Sequence, residues 1–95
     1  MEIGNAIRKI RRDKDLKQME LAESVGITQS YLSGIEKGNK NPSSIVLDRI
    51  ANYFKIPLAV IYWNSLEEKD IDPLKVDAFR VLKPSVDGLI NEMFK

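Results

Sequence analysis

Gly26 and Gly38 punctuate the middle of this chain, and around them the sequence writes two short helices joined by a tight turn. The first, from about Gln18 to Ser24, places Leu21, Ala22 and Val25 on its buried side, with Leu16 leading in. Gly26 follows directly. A glycine just after a helix supplies positive φ without a Cβ penalty, so the chain can turn sharply. Thr28 then offers a hydroxyl that can accept from the first-turn N–H groups of the next helix. That helix runs to about Lys37, and Gly38 closes it. Leu32 and Ile35 share its inner face with Tyr31 beside them, whereas Ser30, Ser33, Gly34 and Lys37 point the other way at about 100° per residue. The outer face is small and polar, so it can approach another surface closely.

The flanking segments supply what these two helices pack against. Ile3, Ala6, Ile7 and Ile10 fall at i, i+3, i+4, i+7, one apolar stripe on a helix from about Glu2 to Lys14. The segment from Asn39 to Ser44 is a loop by composition. A fourth helix, about Ser44 to Phe54, offers Ile45, Leu47, Ile50, Ala51 and Phe54 as apolar contacts. Pro57 opens a fifth, at a position where its missing N–H costs nothing, and Leu58 and Ile61 should face the core. No strand alternation, internal repeat or low-complexity tract appears.

Absent residue types narrow the chemistry. The 95 residues include no Cys and no His. That removes disulfides, Cys-ligated zinc, thiol nucleophiles, Ser-His-Asp triads and imidazole acid–base chemistry. Neither G-x-x-x-x-G-K-[ST] nor G-x-G-x-x-G is present, and no paired carboxylates stand against a nucleophile. An enzyme is therefore not expected, nor a cofactor, a metal or a small-molecule ligand. The longest apolar run, Leu58 to Trp63, is far short of a membrane span. Charges recur from Glu2 through Lys14, where a signal peptide would be apolar. A cytoplasmic location is the expectation.

The formal net charge of +1 hides an asymmetry. Residues 1–63 carry ten Lys/Arg and seven Asp/Glu, whereas residues 64–95 carry five and seven. The densest basic stretch is Arg8, Lys9, Arg11, Arg12 and Lys14. Charge alone establishes no nucleic-acid partner, and on charge alone a solvated helix face is the better account of it. A short helix, a glycine turn and a second capped helix, however, make a helix-turn-helix. In such units the second helix enters the DNA major groove while the first crosses the backbone. Gln can pair bidentately with adenine. Gln18 and Gln29 each open a helix, where N–H groups and the dipole favour phosphate.

The run from Leu16 to Gly38 resembles the phage repressor/Cro-like helix-turn-helix family, also called the xenobiotic-response-element type. Gln18, Leu21-Ala22, Gly26, Ile35-Glu36 and Gly38 match at fixed spacings, and the likeness extends over about residues 3–63. It implies an all-α, five-helix lambda-repressor-like DNA-binding domain over residues 1–63 with a C-terminal helical extension. It also implies roles at matching positions. Gln18 takes the place of a glutamine that contacts the DNA backbone. Gln29, Ser30, Ser33 and Gly34, just after Thr28, occupy base-facing positions. Lys37, Asn39, Lys40 and Asn41 match a phosphate-contacting turn. Arg11 and Glu36 match a pair that links the first helix to the third and positions the reader without reading bases.

Two departures stand out. Lys17 replaces a small capping hydroxyl, a loss of about 1 kcal/mol that Asp15 could offset as a capping box; Lys17 could instead touch phosphate. Gly34 stands where relatives often carry a long base-reading side chain, which leaves more of the specificity to DNA shape or a close backbone approach.

Residues 64–95 read as a helical tail. Ser65 to Asp72 is a polar, acidic connector. Pro73 begins a helix to Leu82, Pro84 forces a break or kink, and a last helix runs from about Ser85 to Phe94. Val86, Leu89, Ile90, Met93 and Phe94 form a broad stripe on it. One helix face cannot bury all of Val60-Ile61-Tyr62-Trp63 either. Tyr62, Trp63, Phe79, Leu82, Leu89, Ile90, Met93 and Phe94 are the expected homodimer contact, with packing of the tail against its own chain as the alternative. Together these readings point to a homodimeric, sequence-specific double-stranded DNA-binding regulator acting as a repressor on an inverted-repeat operator. The other reading is an antitoxin-like or coactivator-like module whose main partner is a protein.

Overall fold

The computed structural model describes residues 1–94. Among them are six α-helices and two short 3-10 turns, with no strand. The helices are α1 (Ile3–Asp13), α2 (Gln18–Val25), α3 (Gln29–Glu36), α4 (Ser44–Phe54), α5 (Leu58–Ser65) and α6 (Val76–Met93). The fold is all-α and lambda-repressor-like, as the resemblance implied.

Helices of eight residues such as α2, α3 and α5 are marginal alone. Burial of one face stabilises them. Ile7, Leu21, Leu32, Ile35, Ile50 and Ile61, drawn from all five of α1 to α5, are completely buried at the centre. Local signals set the ends. Gly26 takes φ +75° after α2 and Gly38 takes φ +82° after α3. Thr28 Oγ1 accepts from the Tyr31 N–H at 3.0 Å, and Ser43 Oγ from the Val46 N–H at 3.2 Å. In α4 the core position belongs to Val46; Ile45, expected inside, is 63% exposed.

Gly4 sets the closest helix–helix approach. A Cβ there would stand 1.9 Å from the Ile35 carbonyl oxygen, an impossible contact. The bare Cα lets α1 lie directly against the last turn of α3.

The tail departs from expectation. α6 is a single 18-residue helix with Pro84 inside it. Pro84 lacks the N–H that would pair with the Arg80 carbonyl. Both residues lie on the exposed side of α6, where that carbonyl is open to solvent. The inward stripe continues past the proline through Phe79, Lys83, Val86, Asp87, Ile90 and Phe94, all partly buried, and this shared docking face outweighs the break. The rings of Trp63 and Phe79 meet at 6.0 Å between centroids. Trp63 Nε1–H donates to Asp87 Oδ1 at 2.7 Å, and the Lys83 ammonium, 5.7 Å from the Trp63 ring centre, donates to Asp87 Oδ2 at 2.9 Å. Ile90 and Phe94 pack against the edge of the core. Trp63, Phe79, Ile90 and Phe94, four of the residues expected at a dimer contact, are thus engaged within their own chain. Leu82, Leu89 and Met93 face solvent at 59%, 62% and 64% exposure, and Tyr62 is half-buried.

Candidate nucleic-acid interface

At the junction of α1, α2 and α3 lies a charged knot. Arg11 Nε donates to Glu36 Oε2 at 2.8 Å and its Nη2 to Oε1 at 2.9 Å, a planar two-bond pairing. Arg11 Nη1 reaches the Leu16 carbonyl at 2.8 Å. The two side chains are only 11% and 3% exposed. The hydrogen bonds to Glu36 hold the Arg11 guanidinium above its already high range, more than offsetting its burial. Gln18 joins them, its Nε2 donating to Glu36 Oε1 at 3.2 Å. One carboxylate therefore fixes both the α1–α3 crossing and the glutamine that opens α2.

The start of α2 is closed differently from the expectation. Asp15 is no cap; it sits in the turn at φ +53°. The Glu20 side chain instead accepts from the Lys17 N–H at 3.0 Å. Half of the reciprocal capping arrangement survives because it needs only the acid three residues into the helix. The Lys17 side chain is left exposed.

α3 presents Gln29 and Ser30 exposed on its first turn, with Ser33 and Gly34 half-exposed one turn on and Lys37 exposed beyond. After Gly38 the loop folds back. The Asn39 and Lys40 N–H groups both donate to the Gly34 carbonyl, at 2.9 and 3.1 Å. Tyr31 Oη–H donates to the Asn41 carbonyl at 3.3 Å. Every sequence-predicted site residue in the range 17–41 thus lies on α2, on α3, at the N-cap of one of them (Lys17, Thr28) or in the loop bonded to α3.

A hollow of about 230 Å³ lies beside this surface, lined by Arg8, Arg11, Arg12, Gln18, Ser33, Glu36 and Lys37. Among the described residues, Arg8, Arg12, Lys17, Lys37 and Lys40 make no ion pair within the chain. Arg8 and Arg12 were absent from the sequence-derived site. Their spacing of four on α1 was the available signal, since it puts them on one face beside Arg11. Gly4 and the Tyr31 tether were also missed as determinants of the site.

A glycine-turned pair of short helices, with a small polar face on the second and unpaired cations around it, defines a helix-turn-helix DNA-binding regulator. The family model described as "Helix-turn-helix" matches residues 7–61, and the chain belongs to that family, in its phage repressor/Cro-like branch. It is 34% identical to the immunity repressor protein of Bacillus phage phi105, over 94% of this chain and 69% of that one. It is 36% identical to the ImmF control region 10 kDa protein of the same phage, over 70% and 73% of the two chains. The crystal structure of the clp gene regulator ClgR from Corynebacterium glutamicum superposes with a TM-score of 0.68 at 30% identity, covering 88% of this chain and 89% of that one.

Proposed function

We propose that this regulator is a homodimeric repressor that inserts α3 into the major groove of an inverted-repeat operator. The observation that carries the proposal is the outer face of α3: exposed, polar, free of bulk, and bordered by cations that have no partner in their own chain. Gln29 and Ser30 lead into the groove, Ser33 follows, and Gln18, Lys17, Thr28, Lys37, Asn39 and Asn41 hold the flanking backbone. Arg8 and Arg12 extend the phosphate contact along α1. The naming of the phi105 relative as an immunity repressor supports repression as the output.

The second copy is seated on α6. Leu82, Leu89 and Met93 fall at i, i+7, i+11, one exposed apolar seam. A two-fold pairing of seams would bury six such side chains. Each recovers part of the roughly 1.5–3 kcal/mol of full burial, set against an association cost of roughly 4–15 kcal/mol. The dimer is therefore concentration-dependent and strengthened by DNA. The same seam favours the second reading, a protein partner of another kind.

Selection of bound sequences from a random DNA pool tests the proposal. The expected product is an inverted repeat with half-sites about one helical turn, 34–36 Å, apart. Gln29→Ala should then cost about 1–3 kcal/mol on the best site and relax one base pair per half-site. No enriched sequence, or an unchanged preference in the variant, would count against it.

A further inference from the structure

We infer that Lys40 serves as the base-reading side chain that Gly34 lacks, with its ammonium directed to a guanine edge and not to a phosphate. The inference rests on the proposed entry of α3 into the major groove and assigns one contact within it. A Cβ placed on Gly34 would stand 3.1 Å from Lys40 Cγ, 3.2 Å from Cδ and 3.6 Å from Cβ. The methylene stem of Lys40 thus runs through the volume that a side chain at position 34 would fill, on the turn of α3 that carries Ser33. Glycine leaves this path open, where even a methyl would press on the stem.

The loop is held so that the stem stays there. Gly38, at φ +82°, reverses the chain. The Gly34 carbonyl accepts from both Asn39 and Lys40. Tyr31 Oη–H, from α3 itself, ties the far side at the Asn41 carbonyl. The ammonium, two bonds beyond Cδ, has no ion-pair partner in its own chain. Lys17, Lys37, Arg8 and Arg12 already supply cations for the backbone. An ammonium has three donors and no acceptor. In the major groove it matches the paired acceptors O6 and N7 of guanine and is unpaired opposite the cytosine amino group.

The experiment is binding-site selection from a random pool, followed by titration at several salt concentrations, with the full chain, Lys40→Met, Lys40→Arg and Gly34→Ala. Met keeps the stem and removes the charge. Lys40 is exposed, so the fold should hold, and circular dichroism verifies it. The full chain should enrich one guanine position per half-site. Lys40→Met should lose that preference by roughly 5- to 150-fold while the other positions keep theirs, and Lys40→Arg should retain it. Gly34→Ala, whose methyl presses on the stem, should weaken the same position. If Lys40→Met weakens all sequences alike and lowers the salt slope by about one, the ammonium sits on a phosphate. That result overturns this inference and leaves the DNA-reading proposal standing. If the full chain enriches no sequence, both fall.

Discussion

The helix-turn-helix body and the tail treat charge and apolar surface in opposite ways. Every fully buried apolar side chain lies between Ala6 and Ile61, and α6 has no buried residue. Among the described residues of the body, Arg11 and the Met1 ammonium are the paired cations, while Arg8, Arg12, Lys17, Lys37 and Lys40 form no ion pair. In the tail Lys69, Arg80 and Lys83 each hold a carboxylate: Glu67, Glu68 and Asp87. The apolar Leu74, Val81, Leu82, Leu89 and Met93 are the large side chains left exposed there. The body completes its core and offers unpaired charge outward. The tail pairs three of its four described Lys and Arg side chains, leaving Lys75, and offers apolar surface. Each surplus matches a different partner, a polyanion for the first and an apolar surface for the second.

The largest effect should come from the one charge pair that the body buries. Removing one member of a buried pair costs about 3–5 kcal/mol, because the other charge is left without compensation. Glu36→Ala strands Arg11 and releases Gln18 together. Urea denaturation should show a loss in that range, with DNA affinity falling further than stability alone explains. A loss below about 1 kcal/mol would make the pair an ordinary surface contact and erase part of the contrast with the tail.

Gly4→Ala comes next. Its methyl meets the Ile35 carbonyl, a rigid backbone atom, so α1 must shift away from α3. Overpacking of this kind costs about 1–3 kcal/mol, although alanine is the better helix former by about 1 kcal/mol. Thermal denaturation should show net destabilisation. A stabilised variant would mean that α1 and α3 separate at this crossing at little cost.

Much of this architecture was legible because its signals are local. Gly26, Thr28 and Gly38 declare their turns and cap through backbone conformation alone, and the stripe of Ile3, Ala6, Ile7 and Ile10 declares a face. What stayed hidden depends on distant partners. Gly4 looks like a propensity defect until Ile35 is placed against it. Gly34 looks like a missing reader until the loop returns Lys40 across it. Pro84 looks like a break because sequence reads the lost hydrogen bond and not the docking stripe that continues from Phe79 to Phe94. For the tail, periodicity showed an apolar surplus but not which side the body would claim. Trp63 decided that by pairing with Phe79 and Asp87.

The seam on α6 can be tested without disturbing the body. Leu89→Asp places a charge on an exposed position that packs against nothing in its own chain. Surface changes of this kind usually stay within about 0.5 kcal/mol, so thermal stability at low protein concentration should be nearly unchanged. Sedimentation velocity should show the parent associating at micromolar concentration and the variant remaining monomeric. Equal association of the two would place any dimer contact elsewhere.

The smallest expected effect concerns how the tail is held to the body. Two hollows of about 400 and 320 Å³ lie beside Phe94, and the Trp63–Asp87–Lys83 cluster supplies a polar attachment of α6 to the body. Burial alone would push the Asp87 carboxyl up. The hydrogen bonds from Lys83 and Trp63, with the charges of Lys83 and of Lys9 on α1, outweigh it and hold the group below the usual aspartate range. A carboxyl depressed in the folded state contributes stability that is complete above its unfolded pKa of about 3.9. That contribution fades as pH falls through the lower folded value, because the unfolded or detached state binds the proton more readily. Trp63 is the only tryptophan in the chain, so its fluorescence reports this contact alone. Acidification below about pH 4 should change that emission before the helical signal of the body is lost. Asp87→Asn keeps an acceptor for the Trp63 N–H but has nothing to titrate, and it should remove the early step. An identical acid profile in the variant would show that Asp87 does not govern the attachment.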